Sequence, residues 1–414
     1  MEHISVKVLI VGGGPSGSTC GITLQKAGVD CCIVDKAKFP RVKLCAGLFT
    51  HKSQKCLLDV LGPADYAEAM SQVLASEEEE FGLWMRDKNL ISCNQPATAK
   101  LLGVPQDGTG WDGHIRLVNR PVLDNYLLRY YQRLGGKILE GDGLKEIDFA
   151  QKVATLSSGQ TIRYEYLVAA DGAASRIEHQ LKKEDKTFQP KGAGMSTCLE
   201  INVDREDLDK RGVHIYFGII PQSYAWLFSK GEKVCLGLVK LDSVDADLHG
   251  AMRDFCTMLG LKHPEKYPFK GALLPFGNVM QKPLWKDHLL FVGDAAGLVE
   301  PLTGEGIFYA LQSGYDAAKS LICDHASQYL TSVKTLHAII KKGIGYQKLL
   351  ESKTFSKFLF EHAPRNERFI TYFYHTQIEQ RSTTPFWLTC LKYKMTDKKK
   401  MTREIKNNLE KEKK

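Results

Sequence analysis

No stretch of this 414-residue chain reaches 18 consecutive apolar residues, so none of its helices is expected to cross a membrane. The first residues, MEHISVKVLIV, lack the basic, apolar and small-residue regions of a secretory leader. There is no Cys-x-x-Cys and no His-Glu-x-x-His, so a metal site is not expected. The 11 cysteines are an odd number, and with no leader they read as reduced thiols in a cytoplasmic protein. A basic surface for nucleic acid is also missing. The net charge is +8, but residues 391–414 hold ten Lys and Arg against four Asp and Glu, leaving the other residues at only +2.

What remains is a soluble globular composition, 43% hydrophobic and 25% charged, long enough for two or three domains or layered subdomains. Residues 6–11, VKVLIV, form a strand that runs into GGGPSG, and a helix over 18–28 closes at Gly28. DCCIVDK is a second strand. Residues 57–75 are expected to be one helix, and EEEE at 77–80 a solvated face or loop. From about 190 to 275 the texture changes to alternating strands punctuated by turns. In SYAWLFSKGEKVCLGLVK, the period of two puts Tyr224, Trp226 and Phe228 on one face, and Lys230-Gly231 turns the chain into Val234, Leu236 and Leu238. Beyond about 325 the chain reads as helical and rich in aromatics, ending in a lysine-rich tail.

Two motifs carry chemistry. The first is Gly12-x-Gly14-x-x-Gly17 between a strand and a helix, with Asp35 ending the next strand, 21 residues past Gly14. Small glycines let a pyrophosphate approach the N–H groups at the positive end of the helix, and an acid at Asp35 is placed to accept a ribose hydroxyl. The second is VGDAAGLVEPLTGEGI, residues 292–307, where a strand delivers Asp294 into a glycine-rich turn opening a helix at about 302–310. There a carboxylate is placed to accept a ribityl hydroxyl, and the N–H groups from Gly304 to Ile307 to face a flavin's pyrimidine oxygen. Two nucleotide-type turns some 280 residues apart imply one large, two-ended cofactor.

With AADGAASRI at 169–177, these motifs resemble the three fingerprints of the flavoprotein monooxygenase superfamily, the para-hydroxybenzoate hydroxylase fold, over residues 6–310. Within it the chain is most similar to the geranylgeranyl reductase family, through FPRVKLCAGL, YAWLFSKG and GDAAGLVEPLTGEGI. Ala46 stands where that family usually has glycine, and Ser229 where it has proline.

The resemblance implies an α/β fold: a Rossmann-type FAD-binding domain, an inserted antiparallel β-sheet substrate domain and a helical C-terminal region. The FAD-binding parts would be 1–75, 111–185 and 279–325. A substrate-sheet excursion would cover 76–110 and the antiparallel substrate domain 186–278. The helical C-terminal region would cover 326–395 and the basic tail 396–414. FAD would lie on Gly12, Gly14, Pro15, Ser16, Gly17, Asp35, Lys36, Lys43, Cys45, Ala46, Gly47, Arg120, Asp171, Gly293, Asp294, Gly304, Gly306 and Ile307. The loop 40–48 would lie over the flavin ring, with Cys45 facing a reacting double bond and Arg41 and Lys43 as neighbouring cations. Tyr224 and Trp226 would roof an apolar tunnel for an isoprenoid. The plain readings stay open beside these: Cys45 as a small buried hydrophobe, Arg120 as a strand-capping arginine, Asp171 as a turn former, and Tyr224 and Trp226 as core.

The activity implied is reduction of prenyl C=C bonds by hydride from reduced flavin. NAD(P)H visiting transiently, or a protein electron donor, would supply the electrons, since no second dinucleotide fingerprint is present. A flavin monooxygenase acting on an aromatic or polyketide ring is the main alternative. A flavin halogenase lacks its Trp-x-Trp-x-Ile-Pro signature here, and a non-catalytic prenyl-binding carrier would not need both nucleotide turns. Phe355, Phe358, Phe360, Phe369, Tyr372, Phe373, Phe386 and Trp387 beside the basic tail fit either a helical cap or a peripheral dock on the inner face of an anionic membrane.

Overall fold

The structure, a computed structural model, describes residues 4–94, 114–192, 194–301 and 303–351. The C-terminal aromatic residues from Phe355 onward and the basic tail lie outside them, as does Leu302.

Strand β1 (Ile4–Val11) lies at the centre of an eight-stranded sheet, between β2 (Cys31–Asp35) and a long strand from Thr161 to Ala169, and both neighbours are parallel to it. Parallel strands are covered on both faces, which is why CCIVD is buried at every position rather than alternating. Helix α1 (Pro15–Lys26) starts earlier than the 18–28 expected, with Pro15 in the first turn, where its missing N–H costs nothing.

The helix expected over 57–75 is two helices, α2 (His51–Leu61) and α3 (Pro63–Val73). Gly62, at φ +85°, and Pro63 break it, because proline offers no N–H to continue the ladder. The glutamates at 77–80 are a solvated face carried on strands: Glu77 and Glu78 end β3 (Leu74–Glu78), Glu80 starts β4 (Glu80–Met85) and Glu79 lies between, three of the four exposed, with Arg116 Nε donating to Glu77 Oε1 at 2.7 Å.

Strand β5 (Lys88–Asn94) follows β4, and β6 (Ile115–Val118) pairs antiparallel with β3. Helix α4 (Arg120–Arg133), β7 (Lys137–Glu140), β8 (Leu144–Asp148), β9 (Val153–Leu156), β10 (Thr161–Ala169) and α5 (Arg176–Glu184) then complete the return to the first sheet.

The second sheet has seven strands. It is built from β11 (Ser196–Asp204), β12 (Val213–Phe217), β13 (Tyr224–Lys230), β14 (Lys233–Lys240) and β15 (Lys270–Leu274), with β4 and β5 added at one edge. Its pairings are antiparallel except β4 on β12. A helix not expected from the sequence, α6 (Leu248–Leu259), covers one face, burying Leu199, Ile201, Leu227 and Leu236 with its own Met252 and Phe255. The other face carries Cys198, Trp226, Phe228 and Cys235, and against it pack Ala46 and Leu48 from the loop after β2. The alternation in β13 is thus real, and its aromatic face looks toward that loop.

Short strands β16 (Leu284–Trp285) and β17 (Leu289–Phe291) bring the chain back beside β10. Helix α7 (Ile307–Ile322) and helix α8 (Gln328–Glu351) follow. α7 begins at Ile307, later than the 302–310 expected, because Thr303 is held by Glu300, which accepts from Thr303 N and Oγ1 at 2.7 and 2.8 Å, and residues 304–306 are not helical. Among the described residues no helix is long and apolar enough to cross a membrane.

Candidate functional site

The glycine turn after β1 is shaped by contacts that only glycine permits. Gly12 has φ +113°, and a Cβ there would sit 2.2 Å from Ala170 O; a Cβ on Gly17 would sit 1.8 Å from Gly12 O. Gly14 is different. Its backbone is extended, and the nearest atom to a Cβ is the end of Arg41, at 3.4 Å. Gly14 also caps α1 with no side-chain acceptor and no acidic residue in the first turn. The first-turn N–H groups of α1 therefore face an open side, the arrangement that receives a phosphate.

Asp35 braces this turn. Its Oδ2 accepts from Gly13 N–H at 2.7 Å and its Oδ1 from Ala37 N–H at 2.8 Å. Each oxygen keeps a second lone pair for a sugar hydroxyl. Pro15 and Ser16 form the start of α1, and Ser16 Oγ lies 3.0 Å from where a Cβ on Gly293 would be. The two glycine-rich turns, distant in sequence, are thus in contact.

At the second turn Gly293 (φ +54°) donates its N–H to Ser313 Oγ at 2.9 Å, and Asp294 projects toward the start of α7, with Oδ1 3.6 Å from a Cβ position on Gly306. The N-cap Gly306 has no side-chain acceptor, and the first turn from Ile307 holds no acid. Gly304 sits under Tyr224, whose hydroxyl donates to Thr303 O at 2.7 Å and so ties β13 to this turn. Burial pushes the Tyr224 phenol well above its ordinary range, which keeps it a neutral donor.

Asp171 starts α5. Its Oδ2 accepts from Arg176 and Ile177 N–H at 2.7 and 3.2 Å, while its Oδ1 is buried without a partner. Burial raises its pKa. Lys36 is exposed, with its Cβ and backbone beside Gly143, and Lys43 bears electrostatically on Cys198 of β11.

The loop that carries Cys45 is held from three directions. Gly47, at φ +87°, lies so close to β6 that a Cβ would fall 2.2 Å from Val118 O. Val118 N–H donates to Gly47 O at 2.8 Å, and Phe49 N–H to Arg116 O at 2.8 Å. From the substrate sheet, Lys230 Nζ donates to Cys45 O at 3.3 Å, and Cys45 N–H donates to Glu200 Oε1 at 3.3 Å. From the first domain, the buried Arg120 reaches the Cys45 thiol. Burial works against the Arg120 charge, but Asp124 and then Cys45 hold its pKa above the ordinary value. Asp124 receives both Arg120 Nε and Nη2, at 2.8 and 3.0 Å, and Arg41 Nη2 lies 3.4 Å from it.

Trp226 is buried flat against β14, where a Cβ on Gly237 would meet its ring at 2.1 Å, and its centroid is 6.3 Å from that of Tyr224. Both are therefore packed residues on the face that meets the loop.

Sequence reasoning missed Glu200, Asp124, Glu305 and Lys52. Thr50 Oγ1 donates to Glu305 Oε1 at 2.6 Å and Lys52 pairs with the other oxygen, tying the start of α2 to the α7 turn. Glu200 did leave a signal, a carboxylate inside the apolar strand CLEINV, and Asp124 left one as the i+4 partner of Arg120.

The open Gly14 cradle, the uncapped starts of α1 and α7 and the unpartnered Asp171 Oδ1 fit a two-ended dinucleotide with a flavin. The FAD binding domain family matches residues 5–223, more than half of the chain, and the chain belongs to that family of FAD-dependent oxidoreductases. A tryptophan halogenase family model also matches, over residues 117–413. A digeranylgeranylglycerophospholipid reductase of Methanococcus vannielii is 27% identical over 378 residues, covering 84% of this chain and 87% of that protein. Among solved structures, a geranylgeranyl bacteriochlorophyll reductase-like protein of Thermoplasma acidophilum has a TM-score of 0.70 at 18% identity, covering 92% of this chain and 98% of that one. A probable FAD-dependent monooxygenase of Pseudomonas aeruginosa follows at 0.61 and 17%, covering 86% and 100%. The likeness to these structures is one of fold.

Proposed function

We propose that the protein reduces carbon–carbon double bonds of a prenyl chain of the geranylgeranyl type. The observation that carries this reading is the Cys45 loop, fixed between Arg120 on the cofactor side and Glu200 and Lys230 on the aromatic face of the substrate sheet. A thiol reached by Arg120 and held between a nucleotide site and an apolar face is placed to deliver a proton to carbon. The names of the sequence relatives support the same substrate class.

When bound, FAD in its reduced form supplies the hydride. The chain does the rest. The first-turn N–H groups of α1 would hold the diphosphate, Asp35 would receive the ribose and Asp294 the ribityl chain. Trp226, Phe228 and Cys235 line the apolar face that selects the chain by burial. Cys45 Sγ gives its proton to the carbon that does not receive the hydride. The reductant that recharges the flavin, NAD(P)H or a protein donor, visits without a lasting site. The basic stretch 391–414 would bring a lipid-laden surface to the enzyme through anionic headgroups.

The monooxygenase is the second reading, favoured by the fold shared with the Pseudomonas protein. Oxygen decides between them. With the flavin reduced and oxygen excluded, adding a geranylgeranyl lipid is expected to bring back the absorbance of oxidised flavin. A flavin that stays reduced with every prenyl lipid offered, and reoxidises only on admitting oxygen, would contradict the reductase.

A further inference from the structure

Glu200 is a carboxyl group in a place that physical chemistry disfavours. It lies in the middle of β11, 3% exposed, among Cys198, Cys235 and Trp226. Burying a carboxylate costs several kcal/mol unless it is paired, and among the described residues no ion pair within bonding distance joins it. Its bonds are to neutral donors: Cys45 N–H at 3.3 Å and Asn202 Nδ2 at 3.4 Å, both on Oε1, and the Cys235 thiol. A glutamine would hold the same backbone N–H at no ionic cost. The use of glutamate therefore points to the proton itself.

We infer that Glu200 is the acid that restores the Cys45 thiol after each reduction, an assignment resting on the alkene-reductase reading above. Oε1 accepts the Cys45 N–H as a carbonyl oxygen, and that nitrogen is two bonds from the Cβ bearing the thiol. Oε2 carries the proton. In the reaction one alkene carbon gains the hydride and the other gains the Cys45 proton, so a C–H bond forms as the S–H bond breaks. The Glu200 O–H then breaks as S–H re-forms, and the carboxylate takes a proton from water. Each cycle consumes one solvent proton and no further oxidant or reductant.

The groups facing Glu200 are consistent with a neutral resting acid. Cys45 approaches from the loop, Cys235 from β14, Cys198 and Asn202 from β11 itself, and Lys230 from β13, while Lys43 bears on Cys198 and Lys270 stands opposite on β15 and is exposed. Burial is the largest influence and raises the carboxyl pKa; Lys230 opposes it without reversing it. A raised carboxyl is protonated, and useful as an acid, below its own pKa, and its contribution is lost as pH rises through that value.

The test compares the wild type with Glu200→Gln and Glu200→Asp in three ways. In infrared difference spectra of the holoenzymes without substrate, wild type against Glu200→Gln, a protonated-carboxyl C=O stretch present in the wild type is expected to be lost in the variant. In rapid mixing, the first turnover of Glu200→Gln is expected at the wild-type rate, since Cys45 begins protonated. Later turnovers slow by about a hundredfold, the scale of a lost general acid. The wild type should lose turnover on its alkaline side, Glu200→Gln should not show that limb, and Glu200→Asp should recover most of the rate. A Glu200→Gln enzyme with wild-type later turnovers and pH profile would overturn the assignment, as would absence of the protonated carboxyl band, which is read without any prenyl substrate. A wild type that shows the band but reduces no prenyl lipid would instead sink the reductase reading on which the assignment rests.

Discussion

Gly14→Glu is expected to leave the fold standing and strip the protein of FAD. Gly14 has an extended backbone that any residue adopts, and a Cβ there meets only the movable end of Arg41. The added carboxylate would occupy the open side of α1, where a diphosphate's charge belongs. A like charge in that position costs about 3 kcal/mol or more, and so about a hundredfold in affinity. The purified variant should be colourless, with an unchanged far-ultraviolet dichroism spectrum and FAD titrations shifted by at least that factor. Gly17→Ala gives the contrast: its Cβ would fall on Gly12 O, so the turn itself must move and folding suffers with binding. A yellow Gly14→Glu protein with wild-type FAD content would place the phosphate site elsewhere.

Asp124→Ala is expected to be the most destabilising exchange near the site. Asp124 is fully buried and takes a bidentate bond from Arg120, itself 8% exposed, with Arg41 at the same oxygen. Removing one partner of a buried pair leaves the other charge without compensation, at a cost of about 4 kcal/mol. The thermal midpoint should fall by roughly 8 °C. Because Arg120 also reaches the Cys45 thiol, the loop should loosen, and alkylation of Cys45 should become faster. Double substitution of Asp124 and Arg120 by Asn and Met should cost less than Asp124→Ala alone, since no buried charge remains. A loss below about 1 kcal/mol for Asp124→Ala would mean that Arg120 finds another acceptor.

The parts of this site written as backbone constraints were legible in the sequence. Gly12, Gly14 and Gly17 spell a tight turn with one open side, and Gly293 to Ile307 a second, because glycine is needed where chain meets chain. The period of two in β13 correctly put Tyr224, Trp226 and Phe228 on one face, since a strand's alternation is local. What depends on distant partners was not legible. EEEE is the solvated run it looked like, but that it sits on strands depends on β3 and β4 pairing with β6 and β12. Glu200 and Cys45 are 155 residues apart, and only the juxtaposition of β11 with the loop makes one a neighbour of the other. The break between α2 and α3 is a different case. Gly62-Pro63 announced it, and the apolar spacing across 57–75 masked the announcement.

The most direct test of the account is the mass of the product formed from a geranylgeranyl lipid in two parallel reactions, one without oxygen and one under oxygen-18 gas. Alkene reduction predicts the same product in both, two hydrogens heavier for each bond reduced and free of the heavy oxygen. A product that forms only under the gas and carries oxygen-18 would contradict it and make the protein a monooxygenase.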